Sequence, residues 1–219
     1  MSNIVNELVE DYIRNTLQDK EGLLKELEVY ANENNVPIVH KEVSELLKVL
    51  LKIQKPKRIL EVGCAIGYSS ILFATTLDKD VEIITVERNE EMIKKAKENI
   101  KRAGFEKNIT ILEGNAEDIL PNIEGEFDMI FLDAAKGQYK LFYDMIIDKL
   151  KVDGVLISDN ILYKGMIAHD DFVVRRKKTI VKRMRDYLDY ICTCDYLSTS
   201  LLPIGDGVAI SYKDKKEVK

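Results

Sequence analysis

Four apolar runs in this chain end on an acid or an amide. They are ILE at residues 59–61, ITVE at 84–87, MIFLD at 129–133 and VLISDN at 155–160. One acid at a strand end is unremarkable. Four strands delivering Glu61, Glu87, Asp133 and Asp159-Asn160 to one sheet edge describe a single site with several jobs. Asp133, Asp159 and Asn160 offer three hard oxygen ligands with no His or Cys among them, a set that favours Mg2+ or another divalent cation such as Mn2+ or Ca2+. Three protein ligands on a six-coordinate ion leave places for water and for a bidentate acceptor, and two carboxylates balance a dication. Asp159-Asn160 alone also reads as a turn or a helix cap; Asp133 at the neighbouring strand end is what favours a site. Lys136 follows Asp133 by three residues in DAAKG. Beside a dication its ammonium is disfavoured, so its pKa is expected to fall, which suits a group that takes a hydroxyl proton. The plain alternative is a solvated lysine at a helix start.

The second piece of chemistry is ILEVGCAIGYSS, residues 59–70. An apolar strand runs into glycines and then into a helix, which points backbone N–H groups at whatever lies over the turn. Glu61 sits inside the strand end, where a carboxylate is costly without a partner. Glu87 lies 24 positions after Gly63, near the spacing of about 20 for an acid on ribose hydroxyls. Alone this allows a dinucleotide. The pattern here is ExGxxxGxS, however, without the third glycine that packs helix and strand around a pyrophosphate, so a nucleoside ligand lacking pyrophosphate fits better. Cys64 lies in the same turn and reads as a small residue suited to it rather than as a reactive thiol.

The elements that must position these groups follow from periodicity. Residues 2–18 and 20–34 read as helices, with Asp19 as N-cap of the second, and 40–53 as an amphipathic helix with Val43, Leu46, Leu47, Leu50 and Leu51 on one stripe. Strands at 58–62, 81–86, 108–112, 127–132 and 155–158 then alternate with helices at 68–77, 90–103, 116–120 and 139–150. This predicts a mostly parallel sheet with helices on both faces. Residues 193–202 and 207–212 read as a hairpin joined by PIGD. The expected architecture is α/β: a Rossmann-like seven-stranded, mostly parallel sheet with an antiparallel C-terminal hairpin strand and extra N-terminal helices. One domain is expected, a helical cap at 1–54 and a core at 55–219, with the lysine-rich tail frayed.

Composition bounds the class. The chain has 219 residues, 46% hydrophobic and 32% charged, with a net charge of −5, an ordinary soluble balance with no general argument for nucleic acid. No apolar run is long enough to span a membrane, and the acidic amphipathic start is not a signal peptide, so a cytoplasmic, non-membrane protein is expected. Three cysteines without a CxxC pair argue against a disulfide framework or a zinc site. His40 and His169 are too far apart in sequence to favour a histidine metal site.

The segments ILEVGCAIGYSS, TVERNEE, FLDAAKGQY, SDNILYKG and PIGDGVAIS resemble the S-adenosylmethionine-dependent, metal-dependent O-methyltransferases of the catechol and caffeoyl-CoA type over nearly the whole chain. Within them, NVPIVHKEV, DAAKGQY and a basic helix before the last hairpin resemble the bacterial tRNA 5-hydroxyuridine methyltransferases. The resemblance implies S-adenosylmethionine as cofactor, with Glu61, Gly63 and Ser69 on its methionine part, Glu87 on its ribose, Val39 as a further contact, and Ala116 and Glu117 flanking adenine. Asp133 counts both as a cofactor neighbour and as a metal ligand with Asp159 and Asn160, and Lys136 is the catalytic lysine. Asn115 stands where many relatives carry Asp, so only backbone contacts carry over there. Relatives of this type are often homodimers, with the N-terminal helices and final hairpin as candidate contacts.

The acceptor is the open question. Residues 175–185 read RRKKTIVKRMR, a dense basic run in an acidic chain. Arg175, Lys178, Lys182 and Arg185 fall at i, i+3, i+7 and i+10, a partial helical face toward phosphates, with Arg176 beside it and Lys164 extending it. A charge run is commonly a solvated face, but after a metal site it favours tRNA as partner, a flipped anticodon base entering a small pocket. The expected reaction is methylation of the 5-hydroxyl of a wobble 5-hydroxyuridine, whose O5 and O4 form a vicinal pair. The alternatives are a small catechol-like or caffeoyl-CoA-like phenol, which does not need the basic run, and a binding module that has lost catalysis, against which Asp133, Lys136, Asp159 and Asn160 speak.

Overall fold

The computed structural model describes residues 4–215. Three helices come first, α1 (Glu7–Thr16), α2 (Gly22–Glu33) and α3 (Lys41–Gln54). Then come β1 (Arg58–Val62), α4 (Tyr68–Thr76), β2 (Glu82–Glu87), α5 (Glu90–Ala103), β3 (Ile109–Glu113), α6 (Ala116–Ile119), β4 (Phe127–Leu132), α7 (Tyr139–Ile146) and β5 (Leu150–Asp159). The chain closes with α8 (Lys178–Thr193), β6 (Leu197–Leu202) and β7 (Val208–Lys213). The seven strands form one sheet in the order β3-β2-β1-β4-β5-β7-β6. Its first five strands are parallel, and β7 runs antiparallel to both β5 and β6.

The strands are nearly continuous apolar runs because both faces are covered. Along β4, Met129 and Phe131 pack with Leu47, Leu51 and Phe73 under α3 and α4. Ile130 and Leu132 pack with Tyr139, Tyr143 and Tyr187 under α7 and α8. Strand order reverses between β1 and β4, which places the switch point, where open α/β sheets bind ligands, at Gly63 and Asp133. The two exits are joined by a bond from Asp133 N–H to the Val62 carbonyl (3.0 Å).

Several element ends differ from the sequence reading, each for a local reason. The first helix starts at Glu7, capped by the Asn6 side chain on Leu8 N–H, and the first three residues lie outside the described residues. Asp19 does not cap α2; Glu21 is the N-cap, because Asp19 accepts instead from Lys41 Nζ (2.7 Å). The strand expected from 193 begins at Leu197, since α8 continues to Thr193 on its buried stripe of Met184, Tyr187, Leu188 and Ile191. Strand β5 starts earlier than expected, at Leu150, across a register shift opposite Phe127 and Met129. Residues 175–177 form a separate 3-10 turn ahead of α8. The tail beyond residue 215 lies outside the described residues. Among the described residues, no helix is long and apolar enough to cross a membrane.

Candidate active site

The glycine turn after β1 is shaped by contact with the exit of β4. Gly63 has φ +102, and a Cβ there would stand 2.0 Å from the Asp133 carbonyl oxygen. Gly67, at φ +82, is the N-cap of α4. The buried Asn99 side chain holds the turn between them, donating to the Ile66 carbonyl (2.9 Å).

Glu61 is fully buried. Its carboxylate accepts from the Ser69, Ser70 and Thr85 hydroxyls, and burial raises its pKa against those bonds. It therefore does not line the ligand cavity as the sequence reading expected. Ser69 stands between Glu61 and the cavity, and Glu61 acts on that wall through it. Glu87 lies at the end of β2 as a cavity group rather than as a free surface charge beside Arg88. It accepts from the N–H groups of Ala65, Arg88 and Asn89, each at 2.9 Å. A carboxylate has about four lone-pair sites, so three such bonds leave one acceptor position for a ligand hydroxyl.

These groups border a cavity of about 630 Å3, walled by Val39 and the preceding α2–α3 loop on one side and by Gly63, Ser69, Glu87 and Asp133 on the other. A smaller space of about 150 Å3 continues from it past Gly63 and Glu87 to Ala116, Glu117 and Gln138. Gln138 donates to the Glu117 carboxylate. The expected cofactor residues other than Glu61 thus line two adjoining spaces over the switch point, with Gly63, Glu87 and Asp133 in the walls of both.

Asp133, Asp159 and Asn160 meet where the larger space ends. Asn160, in the left-handed region at φ +58 where Asn is tolerated, donates its side-chain amide to Asp133 Oδ1 (2.9 Å). That leaves the amide oxygen of Asn160 as a ligand atom. Its backbone N–H donates to Asp159 Oδ1 (2.7 Å). Asp159 Oδ2 is buried with no hydrogen-bond partner, an arrangement that costs about 1–3 kcal/mol or more unless something else binds the atom. Tyr139 donates to the Asp159 carbonyl (2.7 Å) and lies 3.4 Å from the Leu132 carbonyl, holding both strand ends. Among the described residues no three His, Cys, Asp or Glu side chains cluster as a metal site. This set is two carboxylates and an amide, and the orphaned oxygen of Asp159 fits a hard cation.

Burial pushes the Asp159 carboxyl well up, and Asp133 adds to it; burial likewise raises Asp133, opposed by Asn160 and Lys136. A carboxyl whose folded pKa exceeds its unfolded value binds more protons folded. Its contribution is therefore complete below the ordinary Asp value of 3.8 and is lost as pH rises through the raised folded value. A cation in the site removes this penalty. Thermal unfolding with and without MgCl2 should show a stabilisation that grows from pH 5 to pH 8; a magnesium effect that is absent, or equal at both pH values, would count against the site.

A third cavity, of about 390 Å3, lies on the far side of Lys136 and Asn160, which border both it and the first one. Its walls include Glu10 and Arg14 of α1, His40, Lys164 and Asp206. The sequence reading did not single out Glu10, Arg14 or Asp206. The two α1 residues carry no motif, and PIGDG read as a hairpin turn. Lys136 is not a free lysine: its Nζ is 2.5 Å from Asp206 Oδ2 and 4.9 Å from the centre of the Tyr163 ring.

The basic run is partly dismantled as a helical face. Arg175 lies in the 3-10 turn, off α8. Arg185 turns inward to the Ile167 carbonyl (2.8 Å) and Asp170 (2.7 Å). Arg175, Arg176, Lys178 and Lys182 are exposed, as is Lys164. Lys177 reaches the Tyr163 ring at 5.8 Å, so the run starts beside the residue that packs on Lys136.

A family described as O-methyltransferase matches residues 14–214. A catechol O-methyltransferase from Niastella koreensis is 30% identical over 177 residues, 78% of this chain and 80% of that protein. A Staphylococcus aureus structure named "putative caffeoyl-CoA O-methyltransferase" is similar with a TM-score of 0.88 at 39% identity, covering 94% of this chain and 100% of that one. The SAH-bound methyltransferase PaMTH1 of Podospora anserina has a TM-score of 0.86 at 25% identity, with 96% and 97% covered.

Proposed function

The chain belongs to the O-methyltransferase family, as an S-adenosylmethionine-dependent enzyme of the caffeoyl-CoA and catechol type, and on that premise we propose that it methylates one hydroxyl of a vicinal oxygen pair on a small phenol. The observation that carries this reading is the orphaned Asp159 Oδ2, next in the chain to Asn160, which with Lys136 borders both cavities. In this reading the larger groove takes S-adenosylmethionine, with Gly63 and Ser69 at its methionine end, Val39 facing it, Glu87 on the ribose, and Ala116 and Glu117 at the adenine. Asp133, Asp159 and Asn160 would hold a divalent cation, which would supply the lowering of an acceptor hydroxyl's pKa. The acceptor enters the third cavity and meets the methyl donor across Lys136 and Asn160. Lys136, as the neutral amine, takes the hydroxyl proton on Nζ, and Asp206, 2.5 Å away, pairs with the ammonium that forms. Holding donor and acceptor in line supplies much of the rate.

A second reading, methylation of 5-hydroxyuridine in tRNA, is favoured by the exposed Arg175, Arg176, Lys178 and Lys182, with Lys164 at the rim of the acceptor cavity. Its O5 and O4 present the same vicinal pair to the same ligands. Methyl transfer to a simple catechol and to a tRNA bearing 5-hydroxyuridine, each with magnesium, separates the two. The phenol reading predicts catechol turnover unaffected by Arg175→Ala/Arg176→Ala. Turnover on tRNA alone, falling steeply with salt and with that double substitution, would replace it, and no transfer to either acceptor would remove both. Exposed Leu8, Val9, Tyr12 and Ile13 on α1 support the expected homodimer.

A further inference from the structure

Asp206 is largely buried, its side chain 12% exposed, and every acceptor group it has is used across elements. Oδ2 faces Lys136 Nζ, in the loop after β4. Oδ1 accepts from the Lys164 N–H, and its carbonyl accepts from the Leu162 N–H (2.8 Å), both in the loop after β5. Its neighbours let the hairpin turn sit this close. Gly207 has φ +88, and a Cβ there would lie 2.2 Å from Leu162; Gly205 has φ +58, and its Cβ would meet Val43 at 2.8 Å. The turn is wedged between α3 and the loop after β5, where no side chain fits at either flank.

We infer that Asp206 is a positioning residue for Lys136, its carboxylate fixing the ammonium at the partition between the donor and acceptor cavities. The inference rests on the proposed role of Lys136 in proton transfer. Without Asp206 the lysine keeps the face of Tyr163 and the charges of Asp133 and Asp159, attractions that direct it less tightly than a charge-assisted hydrogen bond. The backbone bonds to Leu162 and Lys164 give Asp206 a structural role as well, and the two roles separate by chemistry. Asp206→Asn keeps a side-chain oxygen for the Lys164 N–H and leaves the Leu162 bond untouched, but removes the charge that orders Lys136.

Two measurements test this. The first does not depend on turnover: trace acetylation of the folded protein with acetic anhydride, read at each lysine by mass spectrometry. Lys136 should react at least about 3-fold faster in Asp206→Asn than in wild type, with Lys140 and Lys182 unchanged, because a charge-assisted bond has been lost. An equal rate at Lys136 overturns the inference. The second is a kinetic cycle on the catechol acceptor. Asp206→Asn should lower kcat by about 10-fold with the KM for S-adenosylmethionine unchanged, and should cost less than about 2-fold when added to Lys136→Met, since residues acting as a unit are non-additive. Equal losses in both backgrounds would assign Asp206 a purely structural role and overturn the inference. If wild type turns over no acceptor, the proposed function falls, and the acetylation result alone still decides whether Asp206 orders the lysine.

Discussion

Asp133→Ala is expected to reduce magnesium-dependent methyl transfer by about three orders of magnitude, the scale of losing a metal-held and electrostatically stabilised reaction centre. The substitution removes one of the two carboxylates of the set and the acceptor of the Asn160 amide, so both charge and ligand orientation are lost. Asp133 also borders the donor groove, and Asp159→Asn is the control, because Asp159 is not in that wall. Both variants should lose turnover and the magnesium-induced rise in thermal midpoint. Asp159→Asn should bind S-adenosylhomocysteine within about 3-fold of wild type by calorimetry, a difference of under about 1 kcal/mol. Because two buried carboxyls raise each other's cost, neither variant is expected to unfold below wild type at pH 8 with the cation chelated. A wild-type rate in either variant would remove the cation from the mechanism.

Gly63→Ala carries the second large effect. The new Cβ would meet the Asp133 carbonyl oxygen at 2.0 Å and its carbon at 2.9 Å. Both atoms are backbone, so no side chain can rotate away. The residue would also have to hold φ +102, a region costly for any residue with a Cβ. Relief requires the exits of β1 and β4 to separate, which displaces the wall of the donor groove and the peptide carrying Asp133 together. Strain and overpacking together amount to about 2–5 kcal/mol, a fall in thermal midpoint of roughly 5–15 °C for a chain of this size. Donor affinity should fall by at least about 10-fold. Gly67→Ala is the contrast: its Cβ would lie 3.5 Å from Ala96, so it meets backbone strain without collision and should cost about 1–2 kcal/mol. Equal midpoints for the two variants would show that the β1–β4 contact is not what holds the turn.

The architecture was readable in advance because its signals are local. Apolar runs such as RILEV and FDMIFL mark strands buried on both faces, and the 3.6-residue period in KEVSELLKVLLKIQ marks a helix. Parallel strands joined by helices send all their carboxyl ends to one edge. That rule brings Asp133, Asp159 and Asn160 together from residues far apart in the chain without any knowledge of contacts. Gly63 was legible for a related reason: a strand that must turn sharply into a helix needs a backbone conformation that favours glycine. Partner choice is a different kind of fact. Nothing in the period or spacing of the chain says that Glu61 is closed off by Ser69, Ser70 and Thr85. Nor does it say that Asp19 is drawn to Lys41 and Arg185 to Asp170, or that Asp206 reaches back 70 residues to Lys136. A side chain's partner depends on which elements pack face to face and how their loops seat, and α1 and the β6–β7 turn reach the acceptor cavity only through that packing. The sequence by itself determined the fold, the glycine turn after β1 and the meeting of Asp133, Asp159 and Asn160 at one sheet edge, because each follows from local pattern plus one topological rule. The tertiary structure alone decided how the cavity beyond Lys136 is walled and which carboxylate holds Lys136, because those depend on contacts between segments with no local signature.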